Sequence, residues 1–279
     1  SSLNPDVGTA GVGTVSLFDR VATLGLSGSL GKLSLGRQLH LVFDAATRIE
    51  PMNFGHVSSN PYIQFGLMSN NAMYSLHGSS SDLTSAIRQN NSIKYTSPVM
   101  DQHWSVSAMV GLGEHAGNTK ASAYTGASAS YVGQELSTAV SYGQFTDATN
   151  SSKLTSYFAG ARWTMNSDWV IKVLYSQNQV NTTKRKISIF GVGVDYLWMP
   201  RSTFTAVFYA NRRAGDLSGS ADQFVLMDKY ELSKRSVIYV SLSHARAGTS
   251  LAKDTDLGLF MSVGNRSAHR ALVGMSHAF

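Results

Sequence analysis

Residues 186–198 read KISIFGVGVDYLW. In an extended chain successive side chains point to opposite faces. Phe190, Val192, Val194, Tyr196 and Trp198 therefore share one face, while Ile189, Gly191, Gly193 and Asp195 occupy the other. One face is large and apolar, the other is small or polar, and no 3.6-residue period competes with this reading. The same split runs outward in both directions. In 168–179, Trp169, Ile171, Val173 and Tyr175 oppose Asp168, Lys172, Ser176 and an isolated Leu174. In 152–163, Tyr157, Ala159, Ala161 and Trp163 oppose Ser156, Phe158, Gly160 and Arg162.

Carried along the chain, the pattern predicts thirteen strands, at about 18–28, 32–39, 88–97, 103–113, 121–132, 135–146, 152–163, 168–179, 186–198, 202–213, 223–232, 235–246 and 269–279. Most are near ten residues long, the length of a tilted strand that crosses a bilayer. Short connections alternate with longer ones rich in Ser, Asn, Asp, Gly and Thr, the longest covering about 40–87. The fold class read from this is all-β: a transmembrane antiparallel up-and-down barrel forming a single domain over 1–279. All five prolines fall outside the predicted strands, where no ladder hydrogen bond is lost.

Composition agrees. Of 279 residues, 14% are charged and 43% hydrophobic, with 23 basic against 17 acidic side chains and no cysteine. A water-soluble domain carries about 25% charged residues, so this chain is too sparsely charged to face water on all sides. It is also too apolar for disorder. No stretch approaches the roughly 20 apolar residues of a membrane helix, and the lack of cysteine removes disulfides, thiolate metal sites and thiol nucleophiles. The first residues lack the basic start and apolar core of a secretory signal, which suggests a removed signal or a fragment. Trp104, Trp163, Trp169 and Trp198 all lie beside short turns, at the same end of their strands. Indoles favour the polar boundary of a membrane, so these residues, together with the terminal Phe279, read as membrane-girdle positions.

Several stretches resemble the general porins of Gram-negative outer membranes, particularly the trimeric sixteen-stranded porins of Burkholderia- and Comamonas-like bacteria. They are LFDRVATLGLSGSLGKLSLGRQLHLVFDA (17–45), EPMNFG (50–55), NNSIKYTSP (90–98), ELSKRS (231–236) with Tyr239 behind it, and a last strand closing on Phe279. The resemblance implies an outer-membrane diffusion channel for ions and small hydrophilic solutes, a homotrimer embedded in outer-membrane lipid and lipopolysaccharide, with no cofactor. It also implies that the loop at about 40–87 folds into the lumen and constricts it. The loop's Phe43, Pro51, Phe54, Pro61, Tyr62, Phe65 and Tyr74 suit packing rather than solvation. In this family the LGRQ hairpin precedes the constriction loop, so the pattern enters at what would be the fourth strand. Thirteen strands cannot close a simple antiparallel barrel. Either about three strands lie outside this chain, which is the preferred reading, or residues 1–16 and the second half of the loop supply further strands.

A diffusion pore works through radius and through charge focused between low-dielectric walls. The resemblance carries Arg37 (of LGRQ) and Arg20 (of FDR) to the arginine ladder of the pore wall. Strict alternation places Arg37 beside Leu33 and Leu35, so its luminal position requires a bulge at Gly36. Alternation alone makes Lys94, Arg162, Lys172 and Arg270 luminal, and Arg88 stands at the mouth of its strand. A basic residue at the midplane facing lipid costs about 2–4 kcal/mol, which favours the lumen. The loop's opposing acids are Asp44 and Glu50, with none between 51 and 81. With a net charge of +6, this balance points to anion preference.

Other classes find less support. The eight histidines show no HxxxH spacing, and neither a dinucleotide-binding GxGxxG nor a GxSxG elbow is present, so no catalytic or metal residues are assigned. No basic helix supports nucleic-acid binding. A barrel enzyme would need a Ser/His/Asn or Asp/His cluster at its outer rim. An autotransporter unit would need an N-terminal helix, against the Gly- and Pro-rich residues 1–17. A substrate-selective outer-membrane channel is the nearer alternative.

Overall fold

A computed structural model describes residues 3–4, 9–10, 21–52, 77, 87–113, 117–215, 218–248 and 266–278. A two-residue pair, β1 (Leu3–Asn4) with β2 (Thr9–Ala10), stands apart from the main sheet. That sheet comprises β3 (Ala22–Gly28), β4 (Gly31–Leu39), β5 (Arg88–Thr96), β6 (Trp104–Gly111), β7 (Tyr124–Val132), β8 (Leu136–Thr146) and β9 (Lys153–Thr164). It continues through β10 (Trp169–Val180), β11 (Lys186–Met199), β12 (Ser202–Ala214), β13 (Gly219–Ser233), β14 (Ser236–Ala247) and β15 (Ser267–His277). Every strand pairs antiparallel with its sequence neighbour, giving a 13-stranded meander from β3 to β15. Each of the thirteen predicted segments overlaps one of these strands; residues 18–20 and 279 of the first and last segments lie outside the described residues. Among the described residues the short pair β1–β2 does not extend the sheet, and β3 and β15 are its two edges.

The register confirms the alternation residue by residue. Phe190 stands opposite Tyr175, Val192 opposite Val173 and Tyr196 opposite Trp169, all on the outer wall. The intervening Ile189, Gly191 and Gly193 face inward and are buried. The outer wall keeps large apolar side chains exposed, among them Leu26, Val140 and Leu242, which is the surface that acyl chains cover.

The outer wall carries two aromatic belts. At the short-turn end lie Trp104, Trp163, Trp169 and Trp198, all exposed as expected. Trp169 stacks on Tyr196 at 4.2 Å, and Trp104 meets Tyr131 edge-on at 5.1 Å. Phe279 lies outside the described residues. The second belt was not anticipated: Tyr142, Tyr157, Tyr175, Phe190, Phe208 and Phe224 sit at matching heights nearer the long-loop end. The Tyr175 hydroxyl donates to Gln177 at 3.0 Å, and Gln144 donates to the Tyr142 hydroxyl at 3.2 Å. The apolar band thus ends in tyrosine hydroxyls bonded to amides, as at a lipid–headgroup boundary.

The candidate pore constriction

The long connection after β4 begins with a short helix, α1 (Leu41–Ala46). Its N-cap is His40, whose Nδ1 accepts the Phe43 N–H at 3.2 Å, and the Leu41 N–H is held by the Tyr124 hydroxyl at 3.2 Å. His40 is itself buried against the Phe145 and Tyr124 rings, 5.1 and 5.9 Å away. These contacts, not helix propensity, hold six residues helical, since a helix this short has little stability alone. Leu41, Val42, Phe43, Ala45, Ala46, Ile49 and Met52 are all buried with Tyr124, Phe145 and Phe158 of the inner wall. The loop therefore starts by folding inward, as expected. Of its remainder only His77 is described near the rim, where it bridges Asp147 and its Nε2 lies 2.9 Å from Ser152 Oγ. Phe54, Pro61, Tyr62, Phe65 and Tyr74 lie outside the described residues.

Inward-facing glycines make the wall that receives this loop. A Cβ on Gly193 would stand 2.7 Å from Pro51 Cβ, and one on Gly160 would stand 2.8 Å from Ile49 Cγ2. Gly193 of GVGV and Gly160 thus clear a bed for the loop at Pro51 and Ile49, while a Cβ on Gly191 would meet the Tyr209 ring of the wall itself, 2.9 Å away.

Polar groups fix the loop in that bed. Lys172 Nζ pairs with Asp195 Oδ2 at 2.7 Å and donates to the Pro51 carbonyl at 3.2 Å. Thr205 donates to Asp195 Oδ1 at 2.8 Å. Lys172 stands opposite Gly193 in the ladder, so Asp195 is its diagonal neighbour on the inner face. Glu50 is fully buried and accepts the Tyr209 hydroxyl. On the helix itself, Asp44 Oδ2 lies 3.4 Å from Lys94 Nζ.

The other expected residues are placed as follows. Arg162 faces the lumen opposite Lys172 and donates to Thr164 at 3.1 Å. Arg270 faces inward opposite Ser243, higher on the wall. Arg88 is half-buried at the start of β5, opposite Leu39. Arg37 is half-buried and its guanidinium bonds Asn90. The expected bulge at Gly36 is not what re-aims it: β4 pairs with β3 in unbroken register through Leu35, Gly36 and Arg37, so Arg37 keeps the parity of Leu33 and Leu35, and the β4–β5 shift between Gly36 and Gln38 puts its extra residue on β5, where Asn91 has φ 44°. Arg20 lies outside the described residues. The structure thus gathers Asp44, Glu50, Lys94, Lys172 and Arg162 around α1 and its exit, and keeps Arg270 apart. Sequence reading missed Tyr209, Asp195, Arg213 and Lys229, all of which face inward. Asp195 is the single acid of the opening stretch and sits on its small-residue face, a legible signal. Among the described residues no cluster of three His, Asp or Glu suits a metal ion.

A lipid-faced antiparallel meander with aromatic belts and a loop bedded on its inner wall defines a membrane-spanning, pore-forming β-barrel. Residues 3–250 match the model of the Gram-negative porin family, and the chain belongs to that family. It is accordingly an outer-membrane channel protein of a Gram-negative bacterium and not an enzyme. Similar solved structures include an anion-selective porin from Comamonas acidovorans, 18% identical, covering 94% of this chain and 78% of that one with a TM-score of 0.72. OmpT of Vibrio cholerae is 14% identical, with coverage of 92% and 80% and a TM-score of 0.65. Salmonella typhi OmpF in complex with daunomycin is 13% identical, with coverage of 92% and 78% and a TM-score of 0.63. At these identities the likeness concerns the fold. A search of curated proteins gives no match.

Proposed function

We propose that the chain passes small hydrophilic solutes by diffusion with a preference for anions, and that Arg162, Arg37, Arg88 and Arg270, with Arg20, supply the field that attracts them, Lys94 being spent on Asp44. The observation that carries this is the state of the acids around the loop. Asp44 is paired with Lys94, Asp195 with Lys172, and Glu50 is buried under Tyr209. Arg162, Arg213, Lys229 and Arg270 stand on the same inner face, so that among the described inner-wall residues around the loop basic side chains outnumber acidic ones. Between low-dielectric walls such an imbalance concentrates anions. The Comamonas acidovorans neighbour being an anion-selective porin accords with this reading.

Within the proposal, Lys172 and Glu50 act as anchors of the constriction loop rather than as water-facing charges, because both are buried. Homotrimeric assembly in lipopolysaccharide-bearing membrane belongs to the same reading; OmpT of Vibrio cholerae has a trimer form. Proteoliposome swelling with neutral sugars and amino acids of graded size tests the general pore: rates should fall smoothly with solute size. Uptake of one solute far above others of equal size would replace it with a selective channel. Arg162→Glu should shift the permeability ratio toward potassium, and an unchanged ratio would remove Arg162 from the selectivity field.

A further inference from the structure

The last two strands of the sheet bring two imidazoles face to face. β14 and β15 pair without interruption from Ser236 with His277 to Arg246 with Ser267, and this register sets His244 directly opposite His269. Their parity is that of the exposed Leu242 and Val273, so both stand on the outer wall, with Phe224 of the second aromatic belt across from His244 on β13. His269 is exposed and His244 half-buried. The ring centroids lie 4.4 Å apart at an interplanar angle of 35°, but the Nδ1 atoms are only 3.3 Å apart. The rings therefore lean together at their Nδ1 edges. As a hydrogen bond this contact is long, since N–H donors usually approach to about 2.7–3.2 Å. As a chelate it fits: two imidazole nitrogens, each about 2.0–2.1 Å from one tetrahedral metal ion, stand about 3.3 Å apart.

From this geometry we infer a site for a borderline transition-metal ion, copper(II) or zinc(II), chelated by His244 Nδ1 and His269 Nδ1. Imidazole suits these ions, whereas magnesium and calcium take oxygen ligands. The affinity order of the divalent ions puts copper(II) first. Binding requires no net loss of a proton: the imidazole that donates its Nδ1–H to the other passes to the Nε2–H tautomer, and both Nδ1 lone pairs then face the ion. The strand ladder already fixes both backbones, so two ligands on rigid elements need little ordering. A recess of about 490 Å³ opens beside both rings, which leaves the ion's remaining positions to water, as in metal sites that keep an open position. Nearby charge opposes the ion in part. Arg246 lies two residues along β14 and is exposed, and Asp222 opposite it is shared with Arg212 at 2.6 Å. One positive charge is thus left uncancelled, which moderates the affinity without blocking the chelate. The inference concerns the outer wall and stands apart from what crosses the lumen.

The test is titration of the folded protein in detergent micelles with copper(II) chloride, read by electron paramagnetic resonance. At its tightest site the wild type should hold one copper(II) ion with the nitrogen splitting of two imidazoles; excess zinc(II) should displace it, and magnesium(II) should not. The second ligand acts at a high effective concentration, so His244→Ala and His269→Ala should each weaken binding at least about 100-fold and leave a single-nitrogen signal. Removing the nearby charge in Arg246→Gln should tighten binding about two- to fivefold. His103→Ala, at the short-turn end of the barrel, should change nothing. Unaltered β-sheet circular dichroism shows that each variant folds, and His269→Gln repeats the test with a polar side chain should an alanine variant fail to fold. Undiminished copper(II) binding in a folded His244 or His269 variant would overturn the site. So would a wild-type ion held through one nitrogen, or magnesium(II) held as tightly as copper(II).

Discussion

Replacing Lys172 with methionine should loosen the constriction loop. Lys172 is only 2% exposed, its partner Asp195 is 15% exposed, and their contact is 2.7 Å. Removing one member of a buried ion pair costs about 3–5 kcal/mol, because the other charge is left without compensation. Here Asp195 keeps the Thr205 hydroxyl, while the Pro51 carbonyl loses its donor. The lower end of the range therefore applies, about 3 kcal/mol. If that energy holds the loop to the wall, the closed-to-open ratio falls roughly a hundredfold. Single-channel recordings should then show frequent excursions to other conductance levels, and urea unfolding in lipid vesicles should begin earlier. The double variant Lys172→Met with Asp195→Leu removes both charges and should regain most of the stability, since apolar replacements of buried pairs are often neutral. A single variant as quiet and stable as the wild type would refute the anchoring argument. So would a double variant no better than the single.

Three further outcomes follow from the same geometry. Gly193→Val places atoms where Pro51 Cβ already lies 2.7 Å from the ideal Cβ; overpacking of this kind costs about 1–3 kcal/mol, and the open-channel conductance should change, whereas Gly28→Ala, with nothing within 4 Å, should leave it unchanged. Trp169→Ala loses the stacked contact with Tyr196, worth about 1 kcal/mol beyond the area it covers, read as a lower urea midpoint in vesicles. Asp147, in the turn after β8, is slightly desolvated, but hydrogen bonds from Ser152, Thr149 and Ser151 outweigh this and lower its pKa to about 2 from 3.8. A depressed carboxyl stabilises above its unfolded pKa and loses that contribution as pH falls through the folded value. Stability should therefore drop between about pH 4 and pH 2, and Asp147→Asn should flatten that drop; an identical acid profile for the variant would exclude this turn as its source.

What the sequence could reveal follows from which forces are local. Alternation is written into each strand, because every second side chain of KISIFGVGVDYLW meets lipid and the next meets the loop or lumen. Strand existence, the order of short and long connections and the tryptophan belt were legible for that reason. The six-residue helix was not: LVFDAA carries no capping signal beyond His40, and its shape comes from Tyr124, Phe145 and the inner wall, far along the chain. The second belt was hidden because Tyr142, Tyr157, Tyr175, Phe190, Phe208 and Phe224 align only once the register is known. Parity assigned Lys172 to the inner face, yet its burial depends on Pro51, 121 residues away. Arg37 keeps the parity that alternation gave it, while the irregularity beside it, hidden from the sequence, puts its extra residue on the neighbouring strand, near Asn91.

The zero-current potential of the wild-type channel in a neutral planar bilayer under a potassium chloride gradient tests the central claim most directly. If the acids around the loop are committed to Lys94, Lys172 and Tyr209 while Arg162 and its neighbours face the lumen, chloride should permeate more readily than potassium. A potential of the opposite sign, reporting potassium preference, would contradict the account.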